Sequence, residues 1–319
     1  MRYCMMLDVK MVVTCAFSVA TMFAVDVRGD APRQVTPNPD AGGFASVYGA
    51  VPPDQVEFLS TPESIKSAAA SAPPSALWEV LEHGEKVECL DCISAVSPLL
   101  YDTNARTREI AAWWLRRRII GVFGPGEVYS QTLQTLASDP DPTRRANAAS
   151  ALGEFLATPG VAACAKALGD PDAGVRAAAA TALGRLNSDG AGALAQAFAD
   201  ADARVKLAAL ASALNIASFS GVESVAGLTH DALADVRRRA IEVLDALGSE
   251  DAVAVVLASA QNDTDAGVRA AACHALGSIV ARSPQTIDVA SVLAVLGTLA
   301  QNDPNGFVRD QAQIAALRL

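Results

Sequence analysis

From about residue 102 onward, apolar residues recur at the spacing of one face of an α-helix. In DPDAGVRAAAATALGRL, which runs from Asp170 to Leu186, the residues Val175, Ala179, Ala182 and Leu183 stand at i, i+4, i+7 and i+8. Four small or apolar side chains therefore share one side of a helix. Asp170, Pro171 and Asp172 precede it, combining a helix stopper with acceptors for the free N–H groups of a new first turn. The unit reads as helix, acidic turn, helix. The position of Val175 has counterparts at Thr107, Arg144, Val205, Val236, Val268 and Val308, with successive intervals of 37, 31, 30, 31, 32 and 40 residues. The next residue is basic every time (Arg108, Arg145, Arg176, Lys206, Arg237, Arg269, Arg309), and alanine stands four residues on (Ala111, Ala148, Ala179, Ala209, Ala240, Ala272, Ala312). Alanine there lets two helices approach closely, and one hairpin alone cannot bury such a face, so the hairpins must stack. The expected fold is all-α, a right-handed α-solenoid of stacked antiparallel helical hairpins, with about seven repeats in residues 77–319.

Length and composition agree with this reading. A chain of 319 residues exceeds the size at which one compact core usually stops growing, and a solenoid removes that conflict. Runs with strand-like alternation are scarce. The formal net charge of -10 argues against general nucleic-acid binding, which needs a basic footprint.

The stretches DPDPTRRANAASALG (139–153), DPDAGVRAAAATALG (170–184) and NDTDAGVRAAACHALG (262–277) resemble the short HEAT-like repeats of the phycobilisome-lyase type, a branch of the armadillo-like superfamily. The resemblance covers roughly residues 102–319 and implies a helical-repeat fold and, for most members, protein binding. It also brings in bilin lyases and a metal-dependent hypusine hydroxylase that share the architecture. That hydroxylase builds its metal site from His-Glu pairs, and none of His83, His230 and His274 is followed by Glu. No metal site and no cofactor are expected.

Upstream of the array the chain changes character twice. Met11 to Val25 is an apolar run behind Arg2 and Lys10, of the length of a secretory signal and short of a membrane span. Residues 1–25 are read as a signal peptide, with lipid attachment at Cys15 or an uncleaved anchor as alternatives; any membrane tether would run through this N-terminus. The protein is expected to be exported, to the periplasm or beyond. Residues 26–76 hold Pro32, Pro37, Pro39, Pro52, Pro53, Pro62, Pro73 and Pro74 and read as a largely disordered linker. Within it, Ser60 to Ala72 offers a short helix with Pro62 in its first turn, set against a disordered leader.

Candidate chemistry is confined to one place. Cys89 and Cys92 form a C-x-x-C pair. Ile93 stands where a haem-attachment motif requires His, and no second pair completes a zinc site. A local disulfide, inert packing or a redox pair remain. Nearby, Trp114 and Leu115 fall on the buried side of their helix, Trp113 falls off it, and Arg116, Arg117 and Arg118 are expected to solvate the opposite side. The recurring arginines Arg145, Arg176, Arg237, Arg269 and Arg309 are read as a structural ladder, each fork bonding carboxylates or helix-end carbonyls of its own or the neighbouring repeat.

Function is expected on the face opposite the buried one, at offsets of +2, +5, +6 and +9 from Val175 and its counterparts. In the fourth repeat these offsets are Leu207, Leu210, Ala211 and Leu214, and in the fifth they begin with Arg238. Leu207, Leu210 and Leu214, with Arg238 and Trp113, are the candidate contacts for a protein or peptide partner; the alternative for the leucines is that a neighbouring turn covers them. Ile314 and Leu317 leave an apolar C-terminal end through which copies of the chain could associate. The sequence is thus read as a non-enzymatic binding or scaffold protein of the cell envelope, with a redox-linked accessory role for Cys89 and Cys92 as the alternative.

Overall fold

The structure, a computed structural model, describes residues 59–120, 126–217 and 219–319. The segment read as a signal, the linker up to residue 58 and the loop 121–125 lie outside the described residues. Helices α1 (Pro62–Ser71) and α2 (Pro74–His83) come first. Seven hairpins follow: α3 (Leu90–Val96) with α4 (Ala105–Ile120), α5 (Glu127–Ser138) with α6 (Pro142–Phe155), α7 (Pro159–Ala167) with α8 (Ala173–Arg185), and α9 (Leu194–Phe198) with α10 (Ala203–Ala213). The last three are α11 (Val222–Gly227) with α12 (Ala234–Leu247), α13 (Val253–Asn262) with α14 (Ala266–Arg282), and α15 (Val289–Asn302) with α16 (Gly306–Ala316). Among the described residues there is no strand. The fold is an α-solenoid.

The linker boundary expected at residue 76 is corrected by α1 and α2. Pro62 pre-sets the first turn of α1, and the Thr61 hydroxyl accepts the N–H of Ser64, which starts the helix as proline and an N-cap residue should. Ile65 is then fully buried. α1 packs on α3 and α2 on α4, so both helices cover the open side of the first hairpin, as terminal units of a solenoid must.

Each acidic turn has two local tasks. The first Asp accepts a backbone N–H two residues on (Asp170 from Asp172, Asp263 from Asp265, Asp303 from Asn305), which makes a turn of the side chain itself. The second caps the new helix: Asp141, Asp172, Asp202, Asp265 and Asn305 accept from its first-turn N–H groups. α12 departs from the pattern, because Leu233 at its N-cap makes no side-chain cap.

Packing then follows from the small residues. Ala111, Ala148, Ala179, Ala209, Ala240, Ala272 and Ala312 are all fully buried, as are the key valines from Val175 to Val308. Arg144 breaks the series: it is exposed, with its guanidinium 4.3 Å from the ring centroid of Tyr101. The second helices form a continuous layer in which α4, α6, α8, α10, α12, α14 and α16 each touch the next. Their approach is close enough to demand glycine. A Cβ on Gly184 would lie 2.5 Å from Cβ and 2.8 Å from Cα of Ser212, and Gly153 and Gly277 meet Ala182 and Ala315 in the same way. Ser212 completes the contact by donating its hydroxyl to the Ala180 carbonyl at 2.8 Å.

Candidate functional site

The stacked layer decides which residues can meet a partner. A second helix inside the array packs chiefly against its own first helix and the second helices on either side. Offset +5, and offset +9 in the repeats where it is glycine, are therefore taken up by packing, and this corrects the expected face. Ala180, Leu210, Ile241 and Cys273, all at +5, are fully buried, and Gly184 at +9 lies against Ser212. Leu210 is a core residue. Leu207 is half-buried against the core, whereas Leu214 remains 40% exposed. Arg238 is exposed and paired with Asp235 and Glu242.

What remains open is a narrower strip at offsets near +2, +3, +6 and +10. Across α8 and α10 it is neutral, formed by Ala177, Ala178, Thr181, Ala208 and Ala211 beside Leu207 and Leu214. Ion pairs flank it. Arg185 meets Glu154 on one side, and on the other Asp245 bonds Arg282 and approaches His274 at 3.7 Å.

The register of this strip is held from the opposite end of each second helix. The Arg176 guanidinium donates through one nitrogen to the carbonyls of Asp170 and Pro171 in its own turn, and through the other two to the Asp200 carboxylate of the next repeat at 2.6 and 2.9 Å. Arg145 does the same with Asp170, Arg237 with Asp263, and Arg269 with Asp303. Lys206 joins the series through Asp231. Arg309, in the last repeat, bonds only the carbonyls of its own turn among the described residues. Each fork ties one turn to the next, a geometry a guanidinium supplies and an ammonium does not.

The pairs are nearly buried, with carboxylate exposures of 10% or less. The arginine hydrogen bond, aided by the backbone N–H each accepts, holds Asp170, Asp200, Asp263 and Asp303 below the ordinary carboxylate value of 3.8 despite burial, which pushes the other way. The unfolded chain therefore takes up these protons first as the pH falls. The stabilisation from the rungs is complete above the unfolded value and is lost as the pH drops through the lowered native values. We expect the rungs to leave the urea midpoint unchanged from about pH 7 to about pH 5, and to lower it below about pH 4. A midpoint that held constant under strong acid would show that the rungs contribute nothing.

The first hairpin is built differently. Trp114 is fully buried and donates its indole N–H to the Gly84 carbonyl at 3.1 Å. Trp113 stays half-buried and stacks on Trp78, with centroids 6.1 Å apart. Arg118 corrects the expectation of a solvated triplet: it is 4% exposed and lies 3.4 Å from the Trp114 ring centroid. It donates to the carbonyls of Gly84, Glu85, Val87 and Trp114 at 2.7 to 2.8 Å. Its Nε has no partner among the described residues. Burial, with some help from Arg117, lowers its pKa to about 9. No periodic rule announces this arginine, since it reaches a loop more than 30 residues away.

That loop leads into Cys89, which caps α3 and is joined to Cys92 by a disulfide. A bridge across so few residues removes little chain entropy, about 2 kcal/mol on the loop-closure model. Cys164 and Cys273 are free and buried, and burial pushes both thiols up to about 12. At the far end of the array Phe307, Ile314 and Leu317 are exposed. Among the described residues no cluster of His, Cys, Asp or Glu is arranged to hold a metal ion, and no helix is long and apolar enough to cross a membrane.

Comparison with known proteins gives a family model described as HEAT repeats that matches residues 129–215 and 224–318. No curated protein matches the sequence. Among similar solved structures is Kap95p, from a study of its binding to RanGDP, at 12% identity and a TM-score of 0.60, covering 81% of this chain and 42% of that one. Kap121p is similar at 13% identity and a TM-score of 0.56, covering 81% and 33%. The CpcE and CpcF complex of phycocyanin lyase from Nostoc sp. PCC7120 aligns at 19% identity over 71% and 94% of the two chains, with a TM-score of only 0.37.

Proposed function

Because this chain belongs to the HEAT-repeat family, with repeats matched over 129–215 and 224–318, we propose that it is a protein-binding scaffold. Its work is to hold a partner on the exposed strip of the second helices, without chemistry of its own on that partner. The observation that carries this reading is the neutral stretch across α8 and α10, where Leu214 is left 40% exposed in the middle of a register-locked layer. Exposed apolar surface on a rigid element is where a partner gains most from burial, and the flanking ion pairs supply the polar rim of such a contact. Kap95p, a structure of the same fold, is described binding RanGDP, and that precedent favours a protein over a small molecule. The apolar run Met11 to Val25 and the closed Cys89–Cys92 bridge support a place in the cell envelope, since disulfides persist in oxidising compartments.

Affinity capture from an envelope extract tests this. Leu214→Asp is expected to weaken retention of the partner at least about tenfold while shifting stability by less than about 0.5 kcal/mol, as surface substitutions do. If the variant retains the same proteins as the wild type, the strip is not the binding surface.

A further inference from the structure

The scaffold reading leaves the C-x-x-C pair without a task. Cys89 keeps 7% of its surface and Cys92 none. Leu90, between them, is 59% exposed, and with Ile93, Ile119, Val128, Arg118 and Glu127 it lines a hollow of about 360 Å³. The Cys92 N–H donates to the Cys89 sulfur at 3.2 Å, so a thiolate at Cys89 has a hydrogen-bond donor already aimed at it. Both sides of the bridge are anchored independently of it. Trp114 and Arg118 hold the carbonyls of Gly84, Glu85 and Val87, and α3 packs on α1. Opening the bond therefore releases neither cysteine, and the two sulfurs stay poised to close again.

We propose that Cys89–Cys92 is an exchange-active disulfide that accepts two electrons from a protein dithiol, with Cys89 the sulfur attacked and Cys92 the sulfur released. A thiolate of the partner attacks Cys89 Sγ. The Cys89–Cys92 bond breaks, and its electron pair leaves on Cys92 Sγ, which takes up the proton the attacking thiol gave to solvent. The mixed disulfide joins the partner to Cys89. The partner's second thiolate then attacks its own sulfur in that bond and expels Cys89 as a thiolate, received by the Cys92 N–H and protonated in turn. The partner ends as a disulfide, and this chain carries two thiols. The exposed Leu90 and the hollow beside it suit a dithiol segment with an apolar side chain next to the attacking cysteine.

The test uses the full chain without denaturant. In a reduced and oxidised glutathione buffer, site-resolved mass spectrometry is expected to show Cys89 and Cys92 opening and closing together while the helical signal stays constant. With oxidised glutathione alone, Cys92→Ala is expected to form a mixed disulfide at Cys89 at least about tenfold faster than Cys89→Ala forms one at Cys92, since access decides which sulfur exchanges. A bridge that opens only after unfolding overturns the proposal, and this wild-type arm holds even if a variant fails to fold. Adduct formation at equal rates, or faster at Cys92, overturns it as well.

Discussion

Leu210→Asp is expected to abolish the fold. Leu210 is fully buried in α10, a helix that touches α8, α9 and α12, so the substitution acts on three helix contacts at once. Removing the side chain costs about 2–5 kcal/mol in lost transfer and cavity terms. Placing an unpaired carboxylate there adds several kcal/mol more, or forces the group to be neutral. Together these approach the about 5–15 kcal/mol that holds a typical domain. Because repeats stabilise one another through their interfaces, a break at the fourth hairpin splits the array in two. Loss of helical ellipticity at ambient temperature is the expected readout. Leu214→Asp, only four residues away, is expected to keep its fold, and the contrast separates core from strip. A folded Leu210→Asp protein with a wild-type melting curve would restore Leu210 to the binding face.

Those two leucines show how much the sequence tells and where it stops. The period, the acidic turns and the basic residue after each key position are local signals, and they read out the hairpins and the kinds of group that Arg145, Arg176, Arg237 and Arg269 bond. The exposed face depends instead on how many neighbours a helix acquires. A wheel drawn around one isolated helix gives it a single buried side, whereas in the array a second side is covered by the next repeat. The recurring glycine at +9 carried that information. Gly184 has no reason to recur on an open face and every reason to recur where Ser212 comes within 3 Å of its missing Cβ. Arg118 was illegible for another reason. Its partners are backbone carbonyls, which carry no residue-specific signature, and three of them belong to a loop more than 30 positions back. The helix Pro62–Ser71 was readable from its proline and N-cap, but the burial of Ile65 comes from tertiary contact, since the helix packs on both α2 and α3 and Ile65 lies against Gly84.

The second large effect is expected at a single rung. Arg237→Met leaves the Asp263 carboxylate, 6% exposed, without either of its guanidinium bonds at 2.7 Å. Losing one partner of a nearly buried pair costs about 3–5 kcal/mol, because the other charge stays desolvated. Asp263→Asn keeps an oxygen for the Asp265 N–H but removes the charge, and it leaves the guanidinium with its bonds to the carbonyls of Asp231 and Ala232. Arg237→Met therefore removes the link between repeats together with the two bonds to its own turn. Asp263→Asn instead keeps the oxygen that accepts from both the Asp265 N–H and one guanidinium nitrogen, and loses the charge and the second bond between repeats. If the rungs lock the register of the stack, and apolar contact alone does not, the two losses overlap when the substitutions are combined.

The measurement that decides this is the double-mutant cycle on Arg237 and Asp263, read from urea unfolding of the wild type, both single variants and the pair. A coupling of about 2 kcal/mol, with the double variant more stable than the sum of the single losses, is the predicted result. Losses that add within about 0.5 kcal/mol would mean that the turns do not hold one another, and that the fixed strip between Arg185 and Asp245 has no such clamp behind it.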